Sequence, residues 1–183
     1  MVAKIDDTYR RLDAVVNCAG TTEFVQHANL EEMTETMWDR ILAVNTTGPF
    51  FVIRACAPLL QRQPHASIVN VAGVVNVAGV ACVAGAGFCL AYCASKEALN
   101  TMTKSLARAL AAGIRVNAVW PGPTDSDWLR RGMTEQQIED RVASFPIPRL
   151  AQPDDVVDAI HDLTVGTNLT TGQILVVDGG RTM

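Results

Sequence analysis

The stretch SIVNVAGVVNVAGVACVAGAGFCLAYCASK, residues 67–96, decides how the chain is organised. Its first six residues form an apolar run of the kind that makes a buried strand. It closes on Tyr92 and Lys96, which on a helix lie one turn apart on the same face. Between these ends Val-Ala-Gly recurs at 71–73, 77–79 and 83–85. No charge occurs from 66 to 94, and a long apolar stretch raises the question of a membrane span. Asn70, Asn76 and several glycines break this one, and its side chains are mostly small. A strand, a loop and the start of a helix fit it better.

The same alternation extends in both directions. LDAVVNCAG (12–20) is an apolar run ending in a glycine turn and reads as a strand. Residues 34–63 carry helical spacing through Met37, Ile41, Val44, Phe51 and Ala55, with Thr36 and Asp39 as a candidate capping box. Gly48-Pro49 interrupts that pattern and predicts a kink or two helical pieces. Residues 91–112 read as a helix with a stripe of Leu99, Met102, Leu106 and Leu110, and Gly113 at its C-cap. IRVNAVWPG (114–122) reads as a buried strand. QPDDVVDAIHDL (152–163) starts a helix with acidic residues in its first turn. GQILVVDGG (172–180) is the last strand. Strands separated by helices predict parallel βαβ units with right-handed crossovers. Residues 121–151, rich in Pro, Gly and charge, form an excursion at the carboxyl end of a strand, where open α/β sheets bind ligands.

Composition narrows the function classes. The 183 residues suggest one domain, 1–183, with no linker. Net charge is −4, so neither nucleic acid nor an anionic membrane is an expected partner. Five cysteines without a Cys-x-x-Cys motif or a signal peptide read as reduced thiols of a cytoplasmic protein. Cys89 and Cys93 are four apart, but no His or further Cys stands at ligand spacing in the sequence, so no metal site is expected.

NCAG (17–20), VN (44–45), IVNVA (68–72), YCASK (92–96), RVNAVWPG (115–122) and TGQILVVDGG (171–180) occur together in this order. In order and spacing they resemble the short-chain dehydrogenase/reductase family, across essentially the whole chain. The resemblance implies a Rossmann-like doubly wound parallel sheet, here truncated to about four strands with flanking helices. It implies hydride transfer between NAD or NADP and a small-molecule carbonyl or alcohol. Tyr92 would be the general acid/base, and Lys96 would favour its phenolate and hold the nicotinamide ribose. Asn45 resembles the residue that holds a water in the proton relay. Asn17, Ala19 and Gly20 resemble the turn along the cofactor. Pro121, Gly122, Thr124 and Ser126 resemble the loop against the nicotinamide, with 123–150 as a lid-like segment. Family members commonly pair through the helices matching 34–63 and 91–112 and through the last strand, which implies a homo-oligomer, a dimer or tetramer.

Two departures qualify this. The family places a serine after the strand formed by IVNVA, thirteen residues before the tyrosine. Counting back from Tyr92 lands on Gly79, and counting forward from the strand lands on Gly73. Ser67 is at the wrong end of the strand, and Ser95 is on another helical face; Asn76 or a backbone N–H would have to substitute. The glycine-rich turn that holds the pyrophosphate is also absent before Asn17. The strand at 13–17 would then lack its usual neighbour and leave an apolar edge. Two expectations follow: an oxidoreductase impaired in this chain, or a non-catalytic assembly module, including a fragment of a longer enzyme.

Overall fold

The computed structural model describes residues 1–72, 89–111 and 113–182. Gly73, Asn76 and Gly79, on which the missing serine was to be judged, lie outside the described residues. Four parallel strands, β1 (Ala14–Asn17), β2 (Ala66–Val71), β3 (Ile114–Pro121) and β4 (Ile174–Val177), pair in the order β1-β2-β3-β4. Val16 stands opposite Val69, Val69 opposite Asn117, and Ala118 opposite Ile174.

The two central strands are apolar on both faces because both faces are covered. Successive strand residues point to opposite sides. Ile68 faces helix α3 (Gly48–Leu60) and the end of α4 (Leu90–Ala109), in a core with Ile53, Cys56, Leu60, Ala107 and Val116. Val69 faces α7 (Pro153–His161), in a core with Val119, Val156 and Leu163. Helices on both faces make the sheet doubly wound, as the alternation implied. All three connections step the same way along the sheet, but the one through α7 crosses on the opposite face. It therefore has the opposite hand from the other two, and the expectation of one hand throughout does not extend to it.

The long helical region 34–63 is more finely divided than its sequence suggests. Thr34, not Thr36, caps α2 (Glu35–Leu42): its Oγ1 accepts the Met37 N–H at 3.3 Å. The interruption is a five-residue π turn, Ala43–Thr47, just before Gly48-Pro49. Gly48 N–H reaches back to Ala43 O, and Pro49, which has no N–H to give, sits in the first turn of α3. By length and composition alone Glu35–Leu60 is apolar enough to cross a membrane. In the fold its buried residues Ile41, Asn45, Ile53, Cys56 and Leu60 belong to a helix packed on β1, β2 and α4. Helix α4 ends earlier than expected, with Leu110 as its C-cap and Gly113 beyond it, donating to Leu110 O. Within 123–150 two short helices form, α5 (Asp127–Gly132) and α6 (Glu135–Val142). At the amino end, Val2–Tyr9 forms α1.

Strand β1 is a sheet edge, as expected, and Val16 is 44% exposed on it. Strand β4 is the other edge, with Leu175 and Val176 also exposed.

The amino end of α7 carries a pH-sensitive clamp. Asp155 accepts two hydrogen bonds from Arg149, at 2.6 and 2.9 Å, and the Gln152 N–H at 2.7 Å. These bonds, led by Arg149, lower its carboxyl from the ordinary 3.8 to about 2. A depressed carboxyl contributes stability above its unfolded value, and that contribution is lost as pH falls through the folded value. The Asp155 carboxyl resonance is therefore expected to titrate near pH 2, with the clamp loosening between pH 3.8 and about 2. A midpoint at the ordinary value would show that the Arg149 bond does not persist in solution.

Candidate active site

Tyr92 and Lys96 lie in the first two turns of α4, and both are buried, at 4% and 3% exposure. Lys96 Nζ lies 5.6 Å from the Tyr92 ring centroid and donates to the Val71 carbonyl at 2.8 Å. That carbonyl ends β2, so the strand holds the ammonium in place. A buried ammonium is costly unless it is hydrogen-bonded or paired. On its other side Tyr92 meets Trp128 of α5 edge-on, with centroids 6.1 Å apart.

A cavity of about 340 Å³ opens where the strands end, lined among the described residues by Cys18, Gly20, Val71, Tyr92, Lys96, Pro121, Thr124, Ser126, Trp128 and α7 side chains including Val156 and Ile160. Its place at the carboxyl ends of parallel strands is where open α/β sheets bind ligands. Six expected residues thus meet in one place: Tyr92, Lys96, Gly20, Pro121, Thr124 and Ser126. A larger hollow, about 420 Å³, lies by the carboxyl end of β4, but its Arg149 and Asp155 are engaged with each other.

Asn45 stands behind this cavity, fully buried in the π turn. Its Oδ1 accepts the Thr21 N–H at 2.8 Å, and its Nδ2 donates to Thr21 O at 2.9 Å and Ser95 Oγ at 3.0 Å. The Ser95 hydroxyl in turn donates to Tyr92 O at 2.7 Å. One amide thereby ties the turn after β1 to the helix that carries Tyr92. A Cβ on Gly20 would stand 3.6 Å from both Asn45 Oδ1 and Lys96 Nζ, in ordinary contact, so the turn runs close against both polar groups.

Asn17, Ala19 and Gly122 do not line the cavity. Asn17 Nδ2 donates to Asn70 Oδ1, Asn70 Nδ2 to Thr103 Oγ1, and Thr103 to Leu99 O, a chain that joins β1, β2 and α4. Ala19 is exposed on the turn. Gly122 is where β3 meets β4: a Cβ there would fall 2.7 Å from Asp178 Cβ and 2.8 Å from Asp178 Cα. Gly122→Ala is thus expected to cost about 1–3 kcal/mol in urea unfolding, as overpacking does. An unchanged unfolding midpoint would mean that β4 moves aside freely. Thr124 donates to Gly122 O and Ser126 caps α5, so both hydroxyls are already engaged in shaping the loop. Ser67 donates to Leu163 O at the far end of β2.

The sequence reading missed the partners: the Val71 carbonyl, Thr21 and Ser95 are ordinary residues until the turn, strand and helix converge. It also missed His27, which the fold brings to within 4.0 Å of Cys93. Among the described residues no cluster of three metal-ligating side chains forms.

A doubly wound parallel sheet with a buried tyrosine-lysine pair at its carboxyl ends defines a Rossmann-type oxidoreductase scaffold. The chain belongs to the short-chain dehydrogenase/reductase family. A family model described as enoyl-(acyl carrier protein) reductase matches residues 1–182. The chain is similar to the 3-oxoacyl-[acyl-carrier-protein] reductase FabG of Thermotoga maritima, at 35% identity over 98% of this chain and 70% of the relative. It is similar to the short-chain dehydrogenase/reductase homolog YusR of Bacillus subtilis, at 37% identity over 74% of this chain and 98% of that relative. Among solved structures it resembles the glucose/ribitol dehydrogenase-type short-chain dehydrogenase/reductase of Brucella melitensis, with TM-score 0.88 and 27% identity. That likeness covers 100% of this chain and 70% of that one.

Proposed function

We propose that the chain reduces a carbonyl, or oxidises the corresponding alcohol, with NAD or NADP as the hydride partner. The observation that carries this is Tyr92, Lys96 and the Gly20 turn converging on one cavity at the strand ends. The residues present fit one half of the cofactor. Lys96 Nζ and the Gly20 turn that lines the cavity suit the nicotinamide ribose, and Pro121 and Thr124 suit the ring. No described residues form a glycine-rich phosphate cradle. Bound there, the cofactor supplies or takes up the hydride.

The chain's own residues handle the proton. Tyr92 donates its phenolic proton to the carbonyl oxygen as charge develops there, or removes it in the reverse direction. The Lys96 ammonium favours the phenolate that results. Asn45 positions rather than reacts: it holds Thr21 and Ser95, and through them the spacing between turn and helix. Trp128 and the α7 side chains give the substrate end an apolar wall. The Thermotoga relative, a 3-oxoacyl-[acyl-carrier-protein] reductase, makes a 3-oxoacyl thioester the first substrate class to test. With glycine at both candidate serine positions, the rate is expected to fall by about 10²–10³, the usual cost of a lost oxyanion donor.

Titration of the whole chain with NADH and NADPH tests the reading. Saturable binding tighter than about 100 μM, or roughly 5–6 kcal/mol, supports it. No binding to folded chain overturns it. The weight would then pass to a non-catalytic assembly module, which a separate observation favours: Phe50 and Phe51 stand exposed on α3 under the Arg54 guanidinium, and β1 is an open edge. In that reading a second copy covers these surfaces, and sedimentation would show a dimer or tetramer.

A further inference from the structure

His27 follows β1 in a loop and Cys93 lies in the first turn of α4, yet Cys93 Sγ stands 4.0 Å from His27 Nε2. Both are half-buried. Neither takes part in the hydride-transfer reading, and the inference stands apart from it. Cys93 packs with Met33 and Trp128 against the cluster of Ile41, Cys89 and Tyr92, while Cys18, not Cys93, lines the cleft itself.

The other described cysteines have different surroundings. Cys89 is buried at 3% exposure. Cys56 is buried too, and burial pushes its thiol up. Cys18 is exposed. A thiol reacts as its thiolate, and a base within reach of its proton makes it a better nucleophile. Accessibility together with an imidazole contact distinguishes Cys93 among these four.

We propose that Cys93 and His27 form a nucleophilic thiol–imidazole pair that adds to α,β-unsaturated carbonyl compounds. In the addition the sulfur bonds to the β-carbon as the carbon–carbon π bond breaks. The thiol proton passes to His27 Nε2 and from there to the α-carbon. Atoms and electrons balance without any outside oxidant or reductant.

N-ethylmaleimide, a compound of this class, provides the test on the whole chain, with peptide mass spectrometry following Cys18 and Cys93. Exposure alone ranks Cys18 first. The pair instead makes Cys93 the faster by roughly tenfold, a modest share of what a positioned base contributes. His27→Gln is expected to bring Cys93 down to the rate of Cys18 or below while leaving Cys18 unchanged. Faster labelling of Cys18 in the native chain overturns the proposal, and so does a Cys93 rate that His27→Gln leaves intact. His27→Asn serves if the glutamine variant fails to fold by circular dichroism, and the native ranking decides if both fail.

Discussion

Tyr92→Phe is expected to reduce turnover of a 3-oxoacyl thioester by about 10²–10⁴, the share that a positioned acid/base supplies. The fold should not change. The edge-on contact with Trp128 and the packing against Ile41 use the ring, not the hydroxyl. Binding of NADH or NADPH should also persist, because the ribose contact is assigned to Lys96. A chain that turns over equally well without the phenol would remove Tyr92 from the chemistry. Loss of turnover together with loss of the near-ultraviolet circular dichroism signal would instead mark it as a packing residue.

Asn45→Ala should cost stability as well as activity. The substitution strips partners from Thr21 N–H and Thr21 O and takes one donor from Ser95 Oγ. Leaving such groups unsatisfied costs about 1–3 kcal/mol each when buried, and Thr21 is half-buried, so a loss of about 2–4 kcal/mol is expected in urea unfolding. Asn45→Asp keeps the acceptor for Thr21 N–H and loses both donations, so it should fall closer to alanine than to wild type. Free movement of the turn should also raise KM for the nicotinamide cofactor more than it lowers kcat. Unchanged unfolding in both variants would show that this bridge does not hold turn and helix together.

Much of this was legible in the sequence because strands and long helices leave strong local marks. The apolar runs at 12–17, 67–72, 114–121 and 174–177 each became a parallel strand: the two central ones are buried on both faces, and the two edges, though partly exposed, carry the β-branched residues that suit a strand. Tyr92 and Lys96 were readable because helical spacing alone puts them on one face. Helix ends were less legible. Thr34 and Thr36 are both good caps, and only the packing of Ile41 against α4 chooses between them. Partners remote in sequence could not be read at all. Nothing local in His27 or the Val71 carbonyl signals that each will meet a residue of α4, or in Thr21 that it will meet Asn45.

The π turn at Ala43–Thr47 has a consequence for how this site can change. A helix that carries one residue more than its regular ladder needs is two helices with an adjustable phase between them. Upstream, α2 and the π turn are geared to α4 and the tyrosine; downstream, α3 is geared to β1 and β2. The spare residue lets each segment keep its own best rotation, as a vernier lets two scales slide without losing their marks. Removing one residue from 43–47 would let the ladder close as regular α-helix, leaving Ile53 on the sheet and Phe50 and Phe51 outside while displacing the segment that carries Asn45. The residue that absorbs this mismatch most directly is Asn45 itself, so the part of the helix that sets its phase is also the part that holds the turn after β1.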